Sequence, residues 1–394
     1  MARDPGTRPR LLVLGAGPAQ LGLLAAARDR GVLVVAVDRD PDAPGFALAA
    51  KRAVVSSEDE PAVDRLARAE HVGGLISPGA DWPVGVAARV AERLRLPHPI
   101  SPATAVLAIT KTRQRERLAA TGVPQPRSRA VTEDDGTIEL PCVVKAPDRQ
   151  GQRGLSLVRT REELTPAIAA ALEASRGGSC LIEELVDGPE ITVNAVSIDG
   201  RFVPLTVTDR LTAEPPAFGV ALAHAWPSAH DTGAAVEVAR LAAKALGIEN
   251  GPTYTQLRLG PAGPQVVEVA ARLGGGHDAE LCLAALGVDL NGLAIDFALG
   301  TLPSGSEPLG LVGGACVLFL VPPEGTLAAV EGVEAARASA GVLDVHVYRR
   351  PGWMFGPLRR GGDRAGAVIA TGDSRDDALE RARSAAACIR FVVE

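Results

Sequence analysis

Residues 10 to about 100 alternate short apolar strands with helices, and this alternation restricts the fold more than any other feature of the chain. Leu11–Leu14 reads as a strand, Ala19–Asp29 as a helix, and Leu33–Val37 as a second strand ending at Asp38. Gly74–Ser77 is a further strand, followed by a helix through Val84–Leu94. Strands joined by helical crossovers pair in parallel, and helices then cover both faces of the sheet. A parallel sheet at the N-terminus is therefore predicted. Gly15-Ala16-Gly17-Pro18 follows the first strand and, with Asp38, has the look of a dinucleotide fingerprint. Its spacing, Gly15, Gly17 and Gly22, departs from that pattern and places Pro18 inside the turn. A tight strand-to-helix turn walling a neighbouring site is the preferred reading, ahead of nicotinamide or flavin binding.

At 394 residues the chain exceeds a single typical core. A net charge of −6 gives no reason to expect nucleic acid or an anionic membrane as partner, so an anionic substrate must be met by local basic residues. Cys142, Cys180, Cys282, Cys316 and Cys388 lie far apart with no CxxC pair, which predicts buried free thiols in a reducing cytosol. The first ten residues are polar, and no apolar run reaches the length of a membrane span. A soluble, cytoplasmic protein is expected.

Beyond the prolines at 97, 99 and 102, one helix is predicted from Ala103 to Thr121, with Gly122 as its C-terminal cap. The strand Cys142–Ala146 carries Lys145. The loop 147–154 leads to the strand Leu155–Val158, a helix over 161–174 and the strand Cys180–Glu184. From Glu190 to Val207 the pattern is β, broken by the hairpin signal Asp199-Gly200. Pro204–Trp226 reads as a long loop able to cap a pocket. A helix over 233–246 precedes the strands Thr253–Leu259 and Gln265–Val269, which a Gly/Pro turn joins. From Leu311 onward, short strands and the helix Arg375–Ala387 form a smaller α+β unit.

The chemistry concentrates in a few places. In Val267-Glu268-Val269-Ala270-Ala271-Arg272-Leu273-Gly274-Gly275-Gly276, a strand carries a carboxylate, an arginine follows, and bare backbone amides come next. That set suits a metal-bound polyphosphate. Lys111 and Lys145 flank a glycine-containing loop that lacks the GxxxxGK[ST] pattern but can close over phosphates as the protein-kinase loop does. Glu183-Glu184-Leu185-Val186 suits a hinge lying over a planar base, with Glu190 placed for ribose hydroxyls. Gln256 and Glu268 lie on consecutive strands of one hairpin and can share a magnesium ion with phosphate oxygens. His277 follows the glycine run and is the candidate to orient an amine or take its proton. His224, His230 and His346 show no metal-ligand spacing. Arg349-Arg350 and Arg359-Arg360 read as surface pairs, and Arg364 as a residue that reaches the site if the C-terminal unit folds over it.

In this order the parts resemble the ATP-grasp superfamily over nearly the whole chain. Similarity is closest to the carboxylate–amine ligases that include L-amino-acid ligases. Lys111, Arg115, Leu118 and Gly122-Val123-Pro124-Gln125-Pro126 resemble the stretch bearing the first ATP lysine, and Lys145 on its Val-Val-Lys-Ala-Pro strand resembles the second. Residues 148–156, with Arg149, Gly151, Gly154 and Ser156, resemble the mobile phosphate loop. Glu183, Glu184 and Val186 resemble the adenine hinge, Glu190 the ribose acid, Glu268 the bridging magnesium ligand, and Arg272 the arginine on the phosphate or acyl phosphate. The segments 77–82 and 363–366 are also similar to that branch. The resemblance implies a Rossmann-like parallel-sheet domain (1–102), an ATP-grasp core of two α+β subdomains (103–186 and 187–308) and a small α+β C-terminal domain (309–394). It also implies ATP and Mg2+ as cofactors, small carboxylate and amine substrates, and a homodimer. Two positions depart from the pattern, Gln256 for a first acidic metal ligand and Ala270 for an asparagine. Bicarbonate as the activated acid, and nucleotide binding without turnover, are the alternatives.

Overall fold

The computed structural model describes residues 8–134, 136–303 and 305–394; residues 1–7, within the polar leading segment, lie outside them. Strands β1 (Arg10–Leu14), β2 (Leu33–Asp38), β3 (Lys51–Val54) and β4 (Gly74–Ile76) form a sheet ordered β3-β2-β1-β4, and every pair is parallel. Helices α1 (Leu21–Asp29), α2 (Glu60–Ala69) and α3 (Asp81–Leu94) make the crossovers. The predicted alternation thus holds, with β3 and α2 added. The strand-to-helix turn is structural in character. Asp38 Oδ2 accepts from the Ala16 amide at 2.8 Å and Oδ1 from the Asp40 amide at 3.0 Å, so both oxygens hold their own loop.

The predicted helix over 103–121 is two helices, α4 (Pro102–Ile109) and α5 (Lys111–Ala120). Thr110 between them is extended (φ −118°, ψ 106°), and the Lys111 amide bonds to the Pro147 carbonyl at 2.9 Å. Gly122 follows α5 with φ +69°, the left-handed conformation a terminal glycine supplies. Strands β5 (Ser128–Val131), β6 (Cys142–Lys145), β7 (Leu155–Val158) and β8 (Cys180–Glu184) form an antiparallel sheet ordered β5-β8-β6-β7. Helix α6 (Arg161–Ala174) packs on it, started by a capping box between Thr160 and Glu163.

Strands β9 (Glu190–Ile198), β10 (Arg201–Thr212) and β11 (Ala221–Trp226), helix α7 (Gly233–Ala245), and strands β12 (Gly251–Gly260) and β13 (Gly263–Ala270) come next. The expected loop over Pro204–Trp226 is therefore mostly strand, with only 213–220 connecting β10 to β11. Pro204 misleads because it sits at a register shift, where a missing amide costs no ladder bond. Helices α8 (Asp278–Leu286) and α9 (Leu290–Leu299) precede β14 (Gly314–Leu320), β15 (Gly325–Glu331), α10 (Val333–Arg337), β16 (Val342–Val347) and β17 (Met354–Phe355). The chain closes with β18 (Gly366–Gly372), α11 (Arg375–Ala387) and β19 (Arg390–Val393). One sheet, ordered β13-β12-β9-β10-β11-β14-β18-β16, runs without interruption across position 308 into the C-terminal unit.

A single apolar cluster joins these parts: Leu11 and Val13 of the first sheet and Leu24 of α1 pack with Leu281, Leu293 and Ala298 of α8 and α9 and with Val317 and Ile369 of the long sheet. Contact is closest at Gly74, where a Cβ would lie 1.9 Å from the Ala298 carbonyl oxygen. Four cysteines are buried and free, as expected, and Cys388 is exposed and free. Among the described residues no single helix is long and apolar enough to cross a membrane. Gly74→Ala should force the first sheet off α9, destabilising the protein by about 1–3 kcal/mol and visibly lowering its Tm. Gly310→Ala, where a Cβ meets nothing within 4 Å, should leave Tm unchanged.

Candidate active site

The β12–β13 hairpin sets the centre of the site. Gln256 pairs with Glu268, and the next pair, Leu257 with Val266, skips Val267. This bulge leaves the Val267 carbonyl out of the ladder, on the free edge of the outermost strand. Side chains of α5 cover that edge. Gln114 accepts from the Val269 amide and donates to its carbonyl, both at 2.8 Å. Arg115, 5 % exposed, donates to the Val266 carbonyl at 2.8 Å and to the Val267 carbonyl at 2.7 Å.

Arg115 also carries the geometry into the smaller sheet. Its Nε donates to Glu183 Oε1 at 2.6 Å, and Glu183 Oε2 pairs with Lys145 Nζ at 2.7 Å. Burial pushes the Glu183 carboxyl up, but Arg115 and Lys145 outweigh it and hold it at about 2. Burial lowers Lys145 to about 8, against the pull of Glu183. Lys111, at the start of α5, donates to the Arg149 carbonyl at 2.7 Å and pairs with Glu268 Oε1 at 2.8 Å. Burial opposes its charge, and Glu268 more than restores it, raising Lys111 above the ordinary lysine value.

Glu268, Gln256 and Arg272 line one cleft of about 900 Å³. Arg272 is held by Asp81 at the start of α3, whose Oδ1 accepts from Nε at 2.6 Å. The Asp81 amide in turn donates to Gln150 Oε1, so the loop 150–154 is fastened to the first domain. Gly151 and Gly154 of that loop, both with φ near +68° (φ +68° and +67°), also line the cleft. Around it stand Arg39, Arg153, Arg210, Arg272, Arg349, Arg359, Arg360 and Arg364, against only Glu268 and Asp363 as acids. Arg364 lies 3.6 Å over the Phe319 ring and donates to the carbonyls of Gly361 at 2.7 Å and Ala221 at 3.2 Å. It has no carboxylate ion pair among the described residues, and burial, with Arg210 nearby, lowers it to about 10.

A second cavity of about 460 Å³, lined by Leu185, Pro189, Glu190, Phe218 and Arg258, adjoins the first through Arg210. Glu190 accepts from Arg210 and from Gln256 Nε2 and is thus fixed between the two.

Several expected site residues stand elsewhere. His277 does not line the cleft: it is 4 % exposed, with Nε2 2.6 Å from the Tyr348 hydroxyl and Nδ1 3.1 Å from Glu280 Oε1. The φ of +59° that starts α8 turns it toward the C-terminal unit, where it stacks on His346 at 4.5 Å. Arg149 sends its guanidinium to the Ala174 carbonyl at the end of α6. Glu184, on the opposite strand face from Glu183, pairs with Arg127 at 2.7 Å. Ser156 sits within β7 opposite Val144, and Val186 is buried with its carbonyl accepting from Arg258 at 3.1 Å. None of these side chains lines either cavity, and those of Lys111, Lys145 and Glu183 lie behind the wall. Arg349, Arg359 and Arg360 also line the cleft, with Arg359 and Arg360 exposed as a surface pair is expected to be. Arg210, Tyr254 and His224 line the cleft as well, where no motif places them. Their signal was a polar residue in an otherwise buried strand, which is informative in itself.

The ATP-grasp domain family matches residues 138–280, and the family described as L-amino acid ligase C-terminal domain 2 matches residues 318–394. An uncharacterised protein of Sinorhizobium fredii is 31 % identical over 330 residues, covering 80 % of this chain and 67 % of its own. Formate-dependent phosphoribosylglycinamide formyltransferase of Burkholderia cenocepacia is 29 % identical over 412 residues, 97 % of this chain and 95 % of that one. The crystal structure of L-amino acid ligase from Bacillus licheniformis superposes with a TM-score of 0.84 at 22 % identity, covering 98 % of this chain and 99 % of that one.

Glu183→Gln should leave Arg115 and Lys145 with one fewer buried counter-charge and destabilise the protein by about 3–5 kcal/mol at neutral pH. The wild-type carboxyl lies at about 2 folded against 4.5 unfolded. Its stabilisation is therefore complete above 4.5 and is lost as pH falls toward 2. Urea melts at a series of pH values should show the gap between wild type and variant closing over that window.

Proposed function

The chain belongs to the ATP-grasp family of ADP-forming ligases, and from that premise we propose that it joins the carboxylate of one small molecule to the amine of another. An amino acid is the favoured acid, and the intermediate is an acyl phosphate. The observation that carries this reading is Arg364. The C-terminal unit lays a part-buried guanidinium, without a carboxylate partner among the described residues, into the cleft that Glu268 and Arg272 line. A cation largely withdrawn from water in this way calls for an anion from outside the protein.

In this reading the base and ribose lie in the cavity of Leu185, Glu190, Phe218 and Arg258, and the phosphates reach past Arg210 toward Glu268. Lys145, held by Glu183, and Lys111, held by Glu268, supply charge behind the phosphates. The amides of loop 150–154 cover them. Glu268 and Gln256 are paired across the hairpin and both line the cleft. One carboxylate and one amide oxygen fit a magnesium ion that takes its other ligands from phosphate and water; Gln256 Nε2 donates to Glu190, which turns Oε1 away from that bond. When bound, the ion would neutralise phosphate charge. Arg272, fixed by Asp81, faces the transferring phosphoryl group or the acyl phosphate. The substrate carboxylate displaces ADP, and the amine then displaces phosphate. The protein's part in both steps is positioning and electrostatic stabilisation.

A panel of L-amino acids, with formate and bicarbonate beside them, should give ADP release that depends on both an acid and an amine. Glu268→Ala should lower it by about 100-fold or more. No release above background with any amino acid, or an unchanged Glu268→Ala variant, contradicts the reading. Release with formate or bicarbonate alone replaces the amino acid as the activated acid.

A further inference from the structure

We propose that His224, with the Asp278 carboxylate on its Nδ1 side, is the general base that takes the proton from the amine in the second step. The assignment rests on the ligase reading and adds a residue to it. His224 lies on β11 opposite Arg210 of β10 and is 2 % exposed, yet it forms part of the cleft wall. Its Nδ1 is 3.5 Å from Asp278 Oδ1 and has no hydrogen-bond partner in the described structure. Asp278 is itself fixed, Oδ2 by the Gly276 amide at 3.1 Å and Oδ1 by Asn194 Nδ2 at 3.3 Å. A carboxylate on the Nδ1 side favours the proton there and leaves a lone pair on Nε2.

Nε2 lies beside Gly276 of the glycine run. A Cβ at that position would stand 2.9 Å from Nε2 and 3.3 Å from the Phe319 ring. Glycine thus keeps the approach to Nε2 open, and Phe319 steadies the ring edge-on at 5.8 Å between centroids. The charged or titratable groups facing the imidazole are Asp278, Arg210, Arg364 and His277. Burial chiefly, with the two arginines and His277 added and Asp278 opposing, lowers His224 to about 4. At neutral pH the ring is uncharged, with the Nε2 lone pair free.

The step balances without another reactant. The amine gives its first proton to water and attacks uncharged, and its nitrogen forms the C–N bond while the C–O bond to phosphate breaks. Inorganic phosphate leaves with that electron pair. The proton that the nitrogen sheds goes to Nε2, and the imidazolium, beside Asp278, passes it to water.

The test compares two nucleophiles on the full-length protein, using the L-amino acid that supports most ADP release. Hydroxylamine is largely unprotonated at neutral pH, and its adduct sheds a proton to water easily; an L-amino acid amine does neither. In His224→Gln, hydroxamate formation should stay within about 3-fold of wild type, while amide formation from amino acids should fall about 100-fold. Asp278→Asn keeps the imidazole and should show a smaller loss with the same dependence on nucleophile. An equal loss with both nucleophiles in the variants that fold, or no loss with either, overturns the assignment. If the wild type yields neither ADP nor hydroxamate with any acid, the ligase reading fails and takes the assignment with it.

Discussion

The free edge of β13 is where the site is held together. An outermost strand leaves carbonyls and amides unpaired, and here a bulge at Val267 adds another. Among the described residues no strand covers them; Gln114 and Arg115 of α5 do. Because the same guanidinium grips Glu183, and Glu183 grips Lys145, one buried cation fixes the separation of the two sheets that flank the cleft. Lys111, one turn earlier on α5, reaches Glu268 on that strand. Removing Glu183 takes the shared counter-charge from Arg115 and Lys145, and removing Lys111 takes the paired cation from Glu268, which is why the network is rigid rather than merely attractive.

Charge is divided sharply over the molecule. The chain is net negative at −6, yet the cleft is walled by eight arginines and two acids. Some of these arginines are neutralised by the protein, Arg272 by Asp81 and Arg210 by Glu190. Others are held in place by rings, Arg349 over Trp353 at 3.8 Å and Arg364 over Phe319 at 3.6 Å. Stacking orients a guanidinium without cancelling its charge. The site is therefore organised for anions before any arrives, and that organisation comes from three separate parts of the chain.

What was legible in the sequence was local. The Gln256–Glu268 pairing follows from a short turn that sets the register of one hairpin. The helix Arg161–Ala174 announces itself through the Thr160–Glu163 box. The first sheet could be read because its strands and helices alternate in period as well as in order. Whether His277 or His224 lines the cleft depends on the φ of one residue and on how β11, β14 and β18 are ordered in the sheet, which no local pattern records. Arg349, Arg359 and Arg360 line the cleft through the path of a long loop, which no periodicity records. Pro204 shows the same limit in reverse, a loop signal absorbed by a bulge.

An acyl phosphate made within this cleft is the proposed intermediate. Carboxylate oxygen-18 in the acid substrate tests it directly, read by mass spectrometry of the inorganic phosphate released during amide formation. One labelled oxygen per phosphate is the predicted result, because the bond broken in the second step joins carbon to that oxygen. Phosphate carrying no label from the acid would contradict it.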